Sequence, residues 1–282
     1  MKAAIKKVLK SGIRFAVNVA MQSTIGRYSI DQVLDLALSR SKTVQHQGLA
    51  LTFAVPNKIN LFRVDSFSIK EPETLEWIDA IPQGSVLWDI GANIGLYTCY
   101  AAKARGCRVF AFEPSIFNLE LLARNISLNG LTREATIIPL PLTDALTIST
   151  LNMTTTEWGG AMSTFDQTYT HDGSMLRKVF EFRTIGLSMD EALALLRNAQ
   201  PDYIKMDVDG IEHLILKGGA GVLRSIKGVL IEINDEFEQQ SVDSTRYLRE
   251  AGLVLKAKRH ADMFDQSPYR NSYNQIWHRV TM

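Results

Sequence analysis

The 282-residue chain has little of several features that would each identify a class of protein. Its only cysteines, Cys99 and Cys107, are too few for a disulfide framework or a cysteine-built zinc site, and favour a reducing, cytoplasmic setting. Neither sign of charge is in excess: 31 Lys and Arg residues face 30 Asp and Glu residues, so the net charge of +1 gives no reason to expect a nucleic-acid partner.

Apolar runs long enough for a membrane span, roughly 20 residues, are also missing. The first thirty residues carry cations but no acid, and apolar residues recur at helical spacing from Ile5 to Val17, which predicts a basic amphipathic helix. Lys10 interrupts its apolar character, so neither a span nor a secretory signal is expected. Either this helix docks its apolar stripe on the protein, the interpretation we carry forward, or residues 1–22 lie on an anionic membrane surface or a partner.

Hydrophobic residues make up 46% of the chain, enough for a substantial core. The length fits one large domain with an extension. We expect the extension to span residues 1–70 and the main domain to span residues 71–282, beginning with a helix at Pro72. The extension is predicted to contain a helix over residues 30–42 and a short β pair over residues 49–55 and 59–65, joined through Pro56 and Asn57.

From Ser85 onward, short apolar runs alternate with helical segments. This alternation predicts an α/β fold with a doubly wound, mostly parallel sheet of about seven strands, the last two forming an antiparallel hairpin at the sheet edge. Residues 141–183 interrupt the pattern with a Thr-, Ser- and Gly-rich stretch that includes one strand-like run, VFEFRTI. A loop of this length is typical of a lid or hairpin over a site.

The segment VLWDIGANIG, residues 86–95, is the most informative in the chain. A buried strand ends in Asp89, turns through Gly91 and enters a helix near Gly95. Ligands of open parallel sheets bind at such strand ends beside a helix N-terminus. The spacing fits neither the dinucleotide fingerprint nor the phosphate loop, which disfavours NAD and ATP.

A second acid, Glu113, ends the next strand, 24 residues after Asp89. A carboxylate there can accept hydrogen bonds from both hydroxyls of a ribose, whereas so acidic a turn would repel a pyrophosphate. The pattern therefore favours a ribose-bearing ligand with positive charge, a description that S-adenosylmethionine fits.

Six segments resemble the FkbM-type S-adenosylmethionine-dependent methyltransferases. They are DIGANIG, FAFEPS, NISLNG, GGAMS, LSMDEAL and IKMDVDGIEHLILKGG, all in the expected order between about Glu71 and Asn234. The family usually reads Asp-Val-Glu-Gly-x-Glu where this chain has Asp209 in place of the middle Glu. The resemblance implies a Rossmann-like class I methyltransferase fold and S-adenosyl-L-methionine as cofactor.

The cofactor-binding residues expected from the strand ends and this resemblance lie at one edge of the sheet. They are Asp89, Gly91, Ala92, Asn93, Gly95, Glu113, Pro114, Ser115, Asp144, Ser163 and Asp207.

Methyl transfer from a sulfonium needs alignment of the reacting groups and removal of a proton from a hydroxyl acceptor. Asp207 is the first candidate for the base, with Lys205 and Glu212 next. No histidine has a Cys or second His at metal-ligand spacing, so no metal site is expected, although a magnesium ion held by Asp207 with Asp209 or Glu232 is conceivable.

The function expected is O-methylation of a hydroxyl on a sugar, glycolipid or polyketide-type molecule, which the resemblance implies. An N-methyltransferase or nucleic-acid methyltransferase is the enzymatic alternative, weakened by the neutral net charge and by the lack of an Asn-Pro-Pro-aromatic motif. A non-catalytic protein that keeps the cofactor fold and docks through its basic helix is the third interpretation.

Overall fold

The computed structural model describes residues 2–280, and the side chains of residues 5–280. No helix within that range has both the length and the apolar character needed to cross a bilayer. Two helices, a β-hairpin and three more helices precede the main sheet: α1 Lys2–Ala20, α2 Thr24–Leu38, β1 Ser41–His46, β2 Leu49–Ala54, α3 Lys58–Asp65, α4 Phe67–Lys70 and α5 Pro72–Ala80.

The β pair predicted for the extension is wrong in one partner. Residues 59–65 lie in α3, because the side chain of Asn57 caps that helix by accepting a hydrogen bond from the backbone N–H of Asn60 at 2.9 Å. β2 pairs instead with β1, which begins where the predicted helix over residues 30–42 was expected to end. Gln47 and Gly48 join the strands with φ of 47° and 79°, the left-handed backbone of a two-residue hairpin turn.

Helix α1 does not dock on the body of the protein, so that prediction is wrong. None of the side chains of residues 5–20 is buried, and α1 packs against α2. Leu9 and Phe15 remain 62% and 72% exposed. A docked amphipathic helix buries its apolar face, whereas α1 and α2 both leave theirs open to solvent.

The main sheet has seven strands, which confirms the predicted fold class. Its elements are β3 Val86–Ile90, α6 Leu96–Arg105, β4 Arg108–Phe112, α7 Ile116–Leu128, β5 Ala135–Ile138, α8 Met189–Leu195, β9 Tyr203–Met206, α9 Glu212–Lys217, α10 Ala220–Leu223, β10 Gly228–Asn234, α11 Glu238–Glu250, β11 Leu253–Arg259 and β12 Ser272–Arg279. The strand order along the sheet is β11-β12-β10-β9-β3-β4-β5. The chain adds β4 and β5 on one side of β3 and then adds β9 and β10 on the other side, so the order of connection reverses between β3 and β9, although these two strands are parallel. Ligands of doubly wound sheets bind at such a reversal.

Strand β12 runs antiparallel between β10 and β11, so the predicted hairpin at the sheet edge is confirmed. Successive side chains of the buried strands point to opposite faces of the sheet. Because helices cover both faces, these side chains pack into two separate hydrophobic cores. Trp88 and Phe112 belong to the core on one face, and Leu87 and Val109 belong to the core on the other.

The stretch over residues 141–183 contains more structure than expected. The strand predicted at VFEFRTI is present as β8, Phe180–Gly186, and it pairs with a strand that the prediction missed, β6, Thr147–Met153. A short strand, β7, Ser163–Phe165, completes a three-stranded antiparallel sheet, which we call the insert.

Candidate active site

A cavity of about 460 Å³ lies at the tips of β3 and β4 and beside β9 and β10. Its other walls come from α3 and α4, from the insert, and from residues 260–274. It is therefore at the place where open α/β sheets bind ligands.

Two groups of lining residues differ in character. The first, the β3–β4 wall, consists of Gly91, Asn93, Glu113, Pro114, Leu140 and Leu142. The second, the charged wall, consists of Arg63, Lys70, Glu71, Asp207, Asp209 and Glu232.

The turn after β3 is held against its neighbours by backbone contacts. Gly91 has φ of 82°, and a Cβ placed there would lie 1.8 Å from the carbonyl oxygen of Asp207, so no other residue fits. The backbone N–H groups of Gly91 and Ala92 both donate to the carbonyl of Phe112 at 3.0 Å. The glycine therefore lets the turn after β3 pack directly against the backbone that follows β9.

Glu113 lies in the β3–β4 wall with both carboxylate oxygens held. The backbone N–H of Asn93 donates to Oε2 at 2.7 Å, and that of Ser115 donates to Oε1 at 2.8 Å. Only 5% of Glu113 is exposed, and burial raises its pKa to about 7 despite these hydrogen bonds. The carboxylate is thus fixed at the cavity with lone pairs left to accept from a ligand.

Asp89 does not reach the cavity, so the prediction that Asp89 and Glu113 face one crevice is wrong for Asp89. Its carboxylate is buried, accepts a hydrogen bond from Thr98 Oγ1 at 2.5 Å, and has Lys205 Nζ at 3.4 Å. The reason is the register: Asp89 stands directly opposite Lys205 in the paired strands β3 and β9.

Lys205 is also outside the lining, 3% exposed, with its Nζ 3.4 Å from the Asp89 carboxylate and 3.6 Å from that of Asp207. Burial lowers the pKa of Lys205, but these two carboxylates outweigh burial and raise it above its usual value. The protonated form of Lys205 is therefore favoured, and that form does not accept a proton. Its charge instead holds Asp207 in place.

Asp207 and Glu232 are two carboxyl groups of the charged wall. Burial raises the pKa of Asp207, but the ammonium groups of Lys205 and Lys70 outweigh burial and hold it below its usual range. Burial and then the neighbouring Asp207 raise the pKa of Glu232 well above its usual value. Of these two carboxyl groups, Glu232 therefore holds a proton more tightly than Asp207 does.

Glu212 was a catalytic candidate, but it is buried behind the turn that follows β9. It accepts hydrogen bonds from the backbone N–H groups of Val208 at 3.0 Å and Gly210 at 3.1 Å. Burial raises its pKa to about 7. Glu212 braces the turn that presents Asp207 and Asp209, and it does not line the cavity itself.

Asp209 lines the cavity with φ of 62°, and its carboxylate accepts the backbone N–H of Met162 at 2.5 Å. Burial and the charge of Asp207 raise its pKa to about 6. The shorter residue at this position thus links the turn after β9 to the insert. No group of three or more His, Cys, Asp or Glu side chains within residues 2–280 is arranged to hold a metal ion.

The remaining predicted residues divide between lining and support. Pro114 and Ser163 line the cavity, as do Gly91, Asn93, Glu113 and Asp207 above. Ala92, Gly95 and Ser115 are buried in the turns that carry the lining residues, and Gly95 and Ser115 begin α6 and α7.

Asp144, which was predicted to bind the cofactor, is not among the residues that line the cavity. Its carboxylate is at the surface, 2.8 Å from the ammonium group of Lys217 in α9. An exposed ion pair of this kind contributes little to stability and contacts no ligand.

The sequence analysis missed half of the charged wall: Arg63, Lys70 and Glu71. Lys70 Nζ lies 2.6 Å from the Glu71 carboxylate, and Arg63 donates from Nε to the carbonyl of Gly159 at 2.9 Å. These residues come from segments interpreted as the extension or as a helix start. Glu71 stands at the start of the region that resembles the FkbM-type methyltransferases, in the sequence EPETLEWI. That position was the one signal that could have identified it.

A loop of the insert, residues 157–163, is clamped along the cavity by amide side chains. Asn93 and Asn118 both donate from Nδ2 to the carbonyl of Gly160, at 2.9 and 3.0 Å. Asn57 and Asn60 do the same to the carbonyl of Trp158. This loop fulfils the expectation of an element covering the site.

Comparison with known proteins gives concordant matches. The family model described as "Methyltransferase FkbM domain" matches residues 89–255. A curated relative, the hexuronic acid methyltransferase AglP of Haloferax volcanii, is 28% identical over 222 residues, covering 76% of this chain and 84% of that protein. The crystal structure of methyltransferase FkbM from Methylobacillus flagellatus is similar with a TM-score of 0.50 and 16% identity, over 78% of this chain and 52% of that one.

Proposed function

The chain belongs to the FkbM methyltransferase family and is a methyltransferase, and from that premise we propose that it uses S-adenosyl-L-methionine to methylate an oxygen of a sugar. The observation that carries the proposal is one cavity shared by Glu113 of the β3–β4 wall and Asp207 of the charged wall.

The β3–β4 wall fits S-adenosylmethionine. Glu113 offers a fixed carboxylate for the two ribose hydroxyls, and Gly91 lines the same part of the cavity. The apolar side chains of Leu140 and Leu142 suit the adenine ring. When bound, the cofactor supplies a methyl group on a sulfonium.

Asp207 is the base in this proposal. Its ionised carboxylate accepts the hydrogen bond of an acceptor hydroxyl, orients the oxygen, and takes the proton as the methyl group is transferred. The ammonium group of Lys205, 3.6 Å from the Asp207 carboxylate, favours the anionic form of Asp207. Such a base contributes about 10²- to 10⁴-fold in rate.

A sugar acceptor is supported by the charged wall and by the relative's activity on hexuronic acid. Hydrogen-bond donors and acceptors of the charged wall, such as Arg63, Lys70 and Glu71, suit sugar hydroxyls. Phe264 and Tyr269, which line the same cavity, offer aromatic faces. We place the enzyme in the cytoplasm because Cys99 and Cys107 are both free thiols.

A carboxylate oxygen is the second candidate acceptor, favoured by the cations Arg63 and Lys70 in the charged wall. An acidic sugar would bring its own anionic nucleophile, so methyl ester formation would not need a base.

The division into an extension over residues 1–70 and a methyltransferase domain over residues 71–282 remains our proposal. It is modified in one respect, because α3 and α4 supply cavity walls and therefore act as part of the catalytic unit.

The experiment incubates the purified protein with isotopically labelled S-adenosylmethionine and three acceptors: a neutral hexoside, a hexuronide and the methyl ester of that hexuronide. Mass spectrometry of the products distinguishes a methyl ether from a methyl ester. We expect an ether on at least one acceptor. Ester formation on the free hexuronide alone would select the carboxylate candidate, and labelling of no acceptor would contradict the proposal.

A further inference from the structure

Among the described side chains of the α1–α2 hairpin, residues 5–38, α1 exposes an apolar face and α2 exposes further apolar side chains. In α1 the exposed apolar side chains lie within an arc of about 160° at 3.6 residues per turn. They are Ile5, Val8, Leu9, Ile13, Phe15 and Val19, each more than half exposed. In α2 a second set is equally exposed: Ile25, Tyr28, Val33, Leu34 and Leu36.

Four of the five cations of α1 lie together on the other side of the helix. Lys6, Lys7, Lys10 and Arg14 occupy an arc of about 100° next to the apolar face. This arrangement lets the apolar face enter an acyl layer while the lysine stems reach its charged headgroups. The helix is too short in apolar length to cross, in keeping with the lack of any spanning helix within residues 2–280.

Charge is divided unevenly between the hairpin and the rest of the chain. The hairpin, residues 2–38, holds six of the 31 cations and two of the 30 acids, a net charge of +4, which leaves 25 cations against 28 acids, a net charge of −3, in residues 39–282. An anionic surface therefore attracts the hairpin and repels the body.

From this complementarity we propose that the α1–α2 hairpin binds the surface of an anionic lipid bilayer and holds the methyltransferase there. The occupant of the apolar faces is the lipid layer rather than a second copy, because pairing two α1 helices through these faces brings like charges together along their edges. The proposal does not depend on which acceptor the enzyme methylates.

Flotation of the full-length chain with vesicles tests the proposal. One set contains phosphatidylcholine alone, and the other contains about 30 mol% phosphatidylglycerol. We expect partition onto the anionic vesicles that is at least about tenfold stronger than onto neutral ones, and that weakens with added salt.

Two double variants separate the charges from the apolar face. Lys6→Glu with Lys10→Glu should weaken partition at least about 25-fold, since each cation near such a surface contributes about fivefold. Leu9→Ser with Phe15→Ser should weaken it at least about tenfold. Matched controls on the body, Lys103→Glu with Lys256→Glu and, separately, Leu195→Ser, change residues that are also exposed and should shift partition by less than about twofold.

Unchanged melting temperature and cofactor affinity in all variants shows that the fold is intact. Absence of wild-type binding to anionic vesicles, or equal binding to both vesicle types, overturns the proposal. A second outcome also overturns it: the wild-type chain sediments as a dimer, the double variant Leu9→Ser with Phe15→Ser sediments as a monomer, and vesicle binding is absent. A second copy of the chain would then cover the apolar side chains.

Discussion

The β3–β4 wall is made largely of backbone and one fixed carboxylate, whereas the charged wall is made of side chains from segments far apart in the chain. Gly91, Asn93 and Glu113 lie within 23 residues of each other. Arg63 and Glu232 are separated by most of the molecule. A motif can encode the first wall, but only the completed fold assembles the second, and the two walls should respond differently to substitution.

Substitution in the charged wall should have the largest effect. Asp207→Asn removes the base but keeps the shape, so turnover should fall about 10²- to 10⁴-fold while cofactor affinity changes little. Initial rates with labelled cofactor and calorimetric affinities measure the two effects. Asp144→Asn, outside the cavity, is the control, and equal losses of rate and affinity in Asp207→Asn would make Asp207 a binding residue.

The support behind both walls should appear in stability. Asp89→Asn keeps the shape of the residue but leaves Lys205 without one of its two carboxylates, so the free energy of unfolding should fall by about 3 kcal/mol in urea denaturation. The same change at Asp144, whose pair with Lys217 is at the surface, should cost less than about 1 kcal/mol. Comparable losses in the two variants would show that the buried pair is not a structural support.

Substitution in the β3–β4 wall should affect cofactor binding. Glu113→Ala should weaken S-adenosylmethionine affinity by about 1.5 to 3 kcal/mol, the range for hydrogen bonds to a charged group, with the fold intact. Isothermal titration calorimetry measures the change against wild type. An unchanged affinity would remove Glu113 from the cofactor site.

The smallest expected effect is on the pH dependence of cofactor affinity. Because burial raises the pKa of Glu113 to about 7, the carboxylate becomes protonated as pH falls through 7, and affinity should fall by up to about tenfold per pH unit below that value. Calorimetry between pH 6 and about 8 checks this, with Glu113→Ala as a control that should flatten the profile. A flat wild-type profile would show that the ionised form is not the one that binds.

Stability should change in the opposite sense from affinity for this group. The folded-state pKa of Glu113 lies above its ordinary value of 4.5, so the folded protein binds the proton more tightly than the unfolded chain. Its contribution to the free energy of unfolding is therefore present at low pH and is lost as pH rises from about 4.5 to about 7.

The sheet and the β3–β4 wall could be predicted because each is encoded by residues that are close together in the sequence. Alternating apolar runs predict the parallel strands, and the tight turn at Gly91 accounts for the position of the cavity. The side-chain direction of Asp89 could not be predicted in this way, because it depends on the register that sets it opposite Lys205.

Other errors came from signals that compete at short range. Residues 59–65 are apolar enough to fit a strand. They form a helix because the side chain of Asn57 caps its N-terminus. The prediction that α1 packs on the body of the protein needed information about which surface faces the helix. Hydrophobic periodicity does not contain that information. Asp144 and Glu212 are acids next to the site whose contacts in the fold point them elsewhere.

The central claim, that this cavity is the S-adenosylmethionine site of a methyltransferase, is tested most directly by titrating the cofactor and its demethylated product into the wild-type protein. The account predicts saturable binding of a single molecule of either compound per chain, each competing with the other. Absence of heat and of competition at saturating concentrations would contradict it.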